Sequence, residues 1–268
     1  MGNQTYTTAM MKISVTICCM NNADTIAAAC ESASWADEVI VVDSGSTDGT
    51  QEIAKKYTDK VVDQPWLGFT EQYKYAATLA KNDWVFQLDS DEEISPKLIQ
   101  ELQSLTEEQL KSIDVAYMPR RNYIMGHYVR AWSSDKESRL IHRDRTKWRD
   151  EVLHITRLPS DPSRVMYFKG WLEHKRVSEA HFSDYFSGSR LDSRLMKVAE
   201  QMYSRGKRAG WTDLLFRPYI AFLKFYVFKR GFLDGSFGLL IAQKASVSVQ
   251  LKYAALWAVQ QKKKQKND

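Results

Sequence analysis

Three short apolar segments in the first ninety residues each run straight into a polar cluster. Lys12–Cys18 (KISVTIC) leads to Met20-Asn21-Asn22. Glu38–Val42 (EVIVV) leads to Asp43-Ser44-Gly45-Ser46-Thr47-Asp48-Gly49-Thr50. Trp84–Leu88 leads to Asp89-Ser90-Asp91-Glu92-Glu93. The apolar segments lack a strong period-two alternation, so both faces of each strand should be covered. Between them lie stretches of about ten residues that read as helices: Ala23–Ser34, Thr50–Tyr57 and Phe69–Lys81. Strand and helix in alternation predict βαβ units, and therefore a parallel sheet. Such sheets bind ligands beyond the carboxyl ends of their strands. The chain places polar side chains there three times over.

The remainder is less regular. Ser95-Pro96 signals a helix start, and one helix is expected from Ser95 to about Glu108. Residues 115 to 175 read as mixed, with short strands, and residues 182 to 210 as helical. From Trp211 the residues Phe216, Tyr219, Ile220, Phe222, Leu223, Tyr226 and Val227 form an apolar face, with Arg217, Lys224, Lys229 and Arg230 between them. A turn at Gly231-Phe232-Leu233-Asp234-Gly235 precedes a last helix, expected from Phe237 to Gln261. The organisation expected is a disordered extension over 1–11, an α/β domain over 12–200, and an amphipathic, basic helical region over 201–268.

Charge sharpens this division. Residues 201–268 carry 13 Lys/Arg against 3 Asp/Glu, whereas the whole chain has a net charge of only +5. A basic, aromatic tail seeks an anionic partner, and a membrane surface explains its cations and aromatics together. No nucleic-acid module is visible. Three cysteines, two of them adjacent (Cys18, Cys19), do not make a disulfide framework and suit a reducing compartment. The first eleven residues have neither a basic n-region nor an apolar run, and no segment reads as a bilayer span. The location expected from these features is cytoplasmic.

The strand-end clusters suggest specific chemistry. Asp89 and Asp91, two residues apart after a buried strand, can turn toward one ligand. Divalent cations such as Mg²⁺ favour one or two carboxylates plus phosphate oxygens. Taken alone, the pair also reads as a solvated acidic loop. Asp43 to Thr50 combines flexible glycines with capping side chains and a strand-end carboxylate. It reads either as a nucleotide-side loop or as an ordinary strand-to-helix turn. It is neither a dinucleotide fingerprint nor a Walker A loop.

The combination IVVDSGSTDGT and WVFQLDSDEE is more specific than either part. With these motifs the chain resembles a family 2 glycosyltransferase of GT-A fold. It is most similar to the subgroup that adds glucose or a related hexose to lipopolysaccharide core. Gly68-Phe69-Thr70-Glu71-Gln72, Arg139-Leu140-Ile141, Gly170-Trp171-Leu172-Glu173-His174 and the Gly231–Gly235 turn share in the resemblance. The resemblance implies a GT-A catalytic domain with a mostly parallel sheet and a C-terminal helical appendage. It implies an inverting transfer of a hexose, with UDP-glucose as the donor, to a lipid-linked saccharide. It also implies a divalent metal, Mg²⁺ or Mn²⁺, held by Asp91 and Asp89, and a peripheral location on the inner face of a bacterial inner membrane.

On this resemblance Asp43 contacts the uracil end of the donor. Asn21, Asn22, Ser44, Lys74, Asp89 and Arg139 line its site. Relatives carry Lys-Asn where this chain has Tyr73-Lys74. They also carry Val-His-Glu after a tryptophan, where this chain has Trp148-Arg149-Asp150-Glu151-Val152-Leu153-His154. Glu151 is therefore the first candidate for general base, then Asp150, with Asp135 a further acid in reach. The alternatives are a sugar nucleotidyltransferase, disfavoured by the absence of a basic Gly-rich loop after the first strand, and a non-catalytic membrane or nucleic-acid adaptor.

Overall fold

The computed structural model describes residues 12–133, 136–149, 155–177 and 192–265. Along the chain the elements are β1 (Ile13–Cys19), α1 (Ile26–Ser32), β2 (Glu38–Asp43), α2 (Thr50–Ala54), β3 (Val61–Asp63), α3 (Phe69–Thr78), β4 (Trp84–Asp89), β5 (Glu92–Ile94), α4 (Pro96–Gln103) and α5 (Glu107–Ser112). There follow β6 (Val115–Ile124), β7 (His127–Tyr128), β8 (Lys136–His142), β9 (Lys147–Arg149), β10 (Thr156–Leu158), β11 (Val165–Tyr167), β12 (Leu172–Val177), α6 (Asp192–Ser204), α7 (Trp211–Leu223) and α8 (Gly235–Lys264). They group into two compact units. Residues 12–120, 136–149 and 155–174 form the first; residues 121–133, 175–177 and 192–265 form the second.

The first unit is built on the expected parallel sheet, in the order β3-β2-β1-β4. β1 is central, and all seven of its residues are buried. Beyond β4 the direction reverses: β8 runs antiparallel to β4, and β6 antiparallel to β8. Parallel register aligns the strand ends. Cys19 sits beside Asp43, and Cys18 beside Asp89. Adjacent residues of a strand face opposite sides. Cys19 accordingly packs in a core with Ile26 and Ala29 of α1, and Cys18 in another with Tyr73, Ala76 and Ala77 of α3. The same alternation keeps the neighbouring thiols apart. All three cysteines are free and buried, and burial pushes each thiol pKa up.

Helix boundaries follow the caps. Gly49 precedes α2 in the left-handed region (φ 91°), where a side chain would be strained. Ser95 Oγ accepts from the Leu98 amide, with Pro96 in the first turn, as the sequence predicts. The single helix expected over 95–108 is instead two. Thr106 and Gln109 form a reciprocal capping box that starts α5 and ends the run from α4.

A buried carboxylate ties the outer strands of this unit together. Asp114 Oδ1 accepts from Arg145 Nε (2.8 Å) and Arg164 Nε (2.9 Å), and Oδ2 accepts from the Ser160 amide (2.9 Å) and hydroxyl. Burial opposes its charge, but the Ser160 and arginine hydrogen bonds win and lower its pKa to about 2.

In the second unit α8 packs against both α6 and α7. Ala199, Ala209, Leu256 and Val259 form one small core; Ile124, Val129 and Ile241 form another with Phe225 and Phe237. The expected turn at Gly231–Gly235 is a 3-10 turn, Gly231–Asp234. Asp234 Oδ2 accepts from the Ala131 amide at 2.8 Å. Gly238 allows α8 to approach closely, since a Cβ there would lie 1.8 Å from the Gly231 carbonyl oxygen. α8 is longer than expected at both ends. Of the helix expected over 182–210, residues 192–204 are helical; the rest of its first part, and the extension over 1–11, lie outside the described residues.

Asp114→Ala should cost about 3–5 kcal/mol in urea unfolding, because two arginines lose a buried partner. A depressed carboxylate pKa stabilises the fold above the unfolded value and loses that effect as pH falls. Wild-type stability should therefore drop between about pH 4 and pH 2, and the Asp114→Ala protein should show a shallower drop over that window.

Candidate active site

The carboxyl ends of β2, β1 and β4 bring two of the sequence clusters into one stitched loop system. Asn21 stands at positive φ (53°); its amide donates to Ser46 Oγ, and its Oδ1 accepts from the Thr47 amide. The Asn22 amide donates to Thr50 Oγ1, and Asn22 Oδ1 accepts from the Met20 amide. Ser44 Oγ accepts from Gln72 Nε2 at 3.1 Å. Asn21, Asn22 and Ser44 thus hold the loops after β1 and β2 together and to α3.

Asp43 is wholly buried at the centre of this arrangement. Its Oδ1 accepts from the amides of Gly45 (3.0 Å) and Ser46 (2.8 Å) and from Gln51 Nε2 (2.8 Å); Oδ2 accepts from the Ser46 hydroxyl and Cys19 Sγ. Burial disfavours the charge, yet the Ser46 and Gln51 donors outweigh it and hold the pKa below the usual carboxylate value. Asp43 is therefore the pin of its own turn as well as a strand-end acid.

Asp89 lies two strands away, about 10 Å across the sheet, and faces the opposite side. Arg139 of β8 grips it with both terminal nitrogens: Nη1 to Oδ1 at 3.0 Å and Nη2 to Oδ2 at 2.5 Å. Tyr73 donates its hydroxyl to Oδ1. The same Arg139 Nη2 reaches Glu92 Oε1 at 2.7 Å, and Arg120 approaches that oxygen at 3.5 Å. Burial raises the pKa of both acids. Arg139 overcomes it at Asp89, which stays well below the usual range; at Glu92 burial and the neighbouring Asp89 prevail and the pKa is raised. Asp91 points elsewhere, with Oδ2 3.4 Å from His174 Nε2 and about a fifth of its side chain exposed.

This geometry redistributes the roles expected of the cluster. Arg139 is 3% exposed and its fork is committed to Asp89 and Glu92. It positions the acidic loop rather than lining the donor site directly, as the resemblance had implied. Asp89 Oδ1 already accepts two donors, whereas Oδ2 accepts one. Asp91, with one oxygen of Asp89, suits a hard cation that brings phosphate oxygens of its own. Among the described residues no three His, Cys, Asp or Glu side chains form a closed metal cage. Lys74 stands apart: it pairs with Glu71 at 2.7 Å and lines a shallow pocket with Thr78, Arg143 and Trp148. Asp135, Asp150, Glu151 and His154 lie outside the described residues.

Sequence reasoning missed Arg157. This fully buried cation donates Nε to Gln87 Oε1 and Nη1 to the Ser138 carbonyl (3.0 Å), and lies over the rings of Tyr73 (5.2 Å) and Trp148 (5.7 Å). Gln87 Nε2 in turn donates to the Tyr73 carbonyl at 2.8 Å. Burial, then repulsion from Arg139, lowers the Arg157 pKa to about 10. Arg157 and Gln87 thus seat Tyr73, and Tyr73 seats Asp89. A lone arginine in a three-residue strand gives no sequence signal of that kind.

Residues 14–171 match the model of the family described as "Glycosyl transferase family 2". A protein of Rickettsia bellii called an uncharacterized glycosyltransferase is 45% identical over 107 residues, 40% of this chain and 36% of that one. The match thus spans about a third of the length of the Rickettsia relatives. A lipopolysaccharide core biosynthesis glycosyltransferase, LpsC of Rhizobium meliloti, is 27% identical over 92% of each chain. Glucosyl-3-phosphoglycerate synthase of Mycobacterium tuberculosis, solved with Mg²⁺ and UDP, is 28% identical over 41% of this chain and 44% of its own, with a TM-score of 0.34.

Arg139→Met should leave the buried Glu92 and the partly buried Asp89 without their cation and cost about 3–5 kcal/mol in urea unfolding. Tyr73→Phe removes one hydrogen bond and should cost about 1–2 kcal/mol. A cost under about 0.5 kcal/mol for Arg139→Met, the range of plain surface changes, would contradict the positioning role.

Proposed function

Since the chain belongs to glycosyl transferase family 2, we propose that it is an inverting hexosyltransferase of GT-A architecture that takes its sugar from a nucleotide donor. UDP-glucose is the donor favoured, and a lipid-linked saccharide of the lipopolysaccharide core is the acceptor favoured. The observation that carries this reading is the shared strand-end edge. It presents a neutralised, preset acidic loop at Asp89–Glu92 beside the stitched loops around Asn21, Asn22 and Asp43. Support for the acceptor class comes from the relative named for lipopolysaccharide core biosynthesis, which aligns over most of both chains.

In this reading the Asp43 turn and the loop after β1 receive the base and ribose, and Ser44 holds that turn against α3. Arg139 and Tyr73 fix Asp89 before substrate arrives, so little reorganisation accompanies the reaction. Asp91 and Asp89 Oδ2 would hold Mg²⁺ or Mn²⁺ with oxygens of the donor diphosphate. When bound, the cation supplies positive charge for the departing diphosphate. The acceptor hydroxyl attacks the anomeric carbon from the face opposite the leaving group. Glu151, or Asp150, takes its proton as the bond forms, which completes a single inverting displacement.

Asp91→Ala should lower transfer from UDP-hexose to lipid-linked core saccharide by at least about a hundredfold, with an unchanged circular dichroism spectrum. Wild-type turnover by the folded Asp91→Ala protein would remove the diphosphate role from this loop.

A further inference from the structure

The second unit turns an apolar helix face outward. Along α7 and the π-helical turn that continues it (Lys224–Phe228), Trp211, Leu215, Tyr219, Leu223 and Val227 recur every four residues. Successive residues at that spacing are neighbours on a helix surface, in a row that advances about 40° per step. All five are exposed, Trp211 at 72% and Tyr219 at 65%, and so are Phe216, Ile220 and Phe228 beside them. A helix in a water-soluble body ordinarily buries such a stripe. The adjoining flank of the helix does the packing: Pro218 is buried, Phe225 joins the Ile124–Val129–Ile241 core, and Phe222 stacks on Tyr226 at 5.4 Å. A contiguous exposed apolar face of this kind marks an interaction surface.

The charges around the stripe are mostly basic; the acid of α7, Asp213, pairs with Arg217 at 2.5 Å. Exposed Arg205, Lys207 and Arg208 precede it, and exposed Lys224 and Arg230 lie at its far end. Arg217 and Lys252 share the ring of Tyr253, with the guanidinium 4.7 Å and the ammonium 5.5 Å from its centroid. Partial burial and the nearby Lys207 and Arg217 lower the Lys252 pKa, so these cations converge. No described helix is long and apolar enough to cross a membrane. An apolar stripe with cations along it, too short to span, suits the boundary between headgroups and acyl chains.

We infer that the Trp211–Phe228 face docks on an anionic bilayer, with Trp211, Leu215, Phe216, Tyr219 and Ile220 among the acyl ends and Lys207 and Lys252 on lipid phosphates. This deepens the reading of a lipid-linked acceptor. Its test stands apart from that reading, because the vesicles contain neither nucleotide nor saccharide.

The test is flotation of the full chain with vesicles of phosphatidylcholine alone, or with about 30% phosphatidylglycerol. The wild type should float with the anionic vesicles and less so at high salt. The double variant Phe216→Ser/Ile220→Ser, at exposed positions, should partition at least about tenfold less. Lys207→Gln/Lys252→Gln should lose the preference for phosphatidylglycerol, and Tyr57→Ser, an exposed aromatic of the first unit, should behave as wild type. Absence of wild-type flotation, equal binding to neutral vesicles, or full binding by the folded double serine variant would overturn the inference. So would a concentration-dependent dimer that the double serine variant abolishes and that binds no vesicles, which would assign the face to a second copy.

Discussion

The fork of Arg139 on Asp89 and Glu92 is the interaction on which the candidate site depends. Two carboxylates three residues apart at a buried strand end repel each other, and burial disfavours the charge of both. One planar cation reaching in from β8 holds three of their oxygens. It can do so because β8 runs antiparallel beside β4, which places Arg139 near the strand end where β4 gives way to the acidic loop. The parallel half of the sheet supplies the strand ends, and the reversed half supplies the charge that makes an acidic end tenable. A lysine in place of Arg139 would keep the charge and lose the two-pronged geometry.

A second layer of support comes from groups that never meet a substrate in this account. Arg157 is held by Gln87 and the Ser138 carbonyl and lies over the faces of Tyr73 and Trp148; Tyr73 then gives its hydroxyl to Asp89. Arg157, Gln87 and Tyr73 are buried and their polar contacts are directed, so the acidic loop is set in place by the core beneath it. A similar logic operates at Asp43, whose five donors all come from its own turn, from α2 and from β1. Two acids that look alike in the sequence thus have different tasks. One is an internal pin, and the other is an anchored edge from which Asp91 projects.

Much of this was legible in the sequence, for physical reasons that can be named. Unbroken apolar runs at β1, β2 and β4 mark strands covered on both faces, and their polar ends mark the ligand edge. The Ser95-Pro96 start of α4 follows from capping chemistry. What stayed hidden depends on contacts between distant residues. The capping box at Thr106 competes with a continuous helix, and only the fold decides between them. Arg139 stands among the donor-site residues in the sequence, and its grip on Asp89 and Glu92 shows only once β8 is seen beside β4. The sequence shows that the stripe from Trp211 to Val227 is apolar, but not that it faces outward, because the same pattern describes a helix packed on a core. The candidate bases Glu151 and Asp150 rest on sequence resemblance.

The most direct measurement of the central claim is calorimetric titration of UDP into the full chain, with Mg²⁺ or Mn²⁺ and again after EDTA. A preset acidic loop beside the Asp43 turn predicts saturable binding of UDP that needs the divalent cation and disappears with the chelator. Failure of the folded protein to bind UDP under either condition would contradict the assignment of this strand edge to a nucleotide-sugar donor.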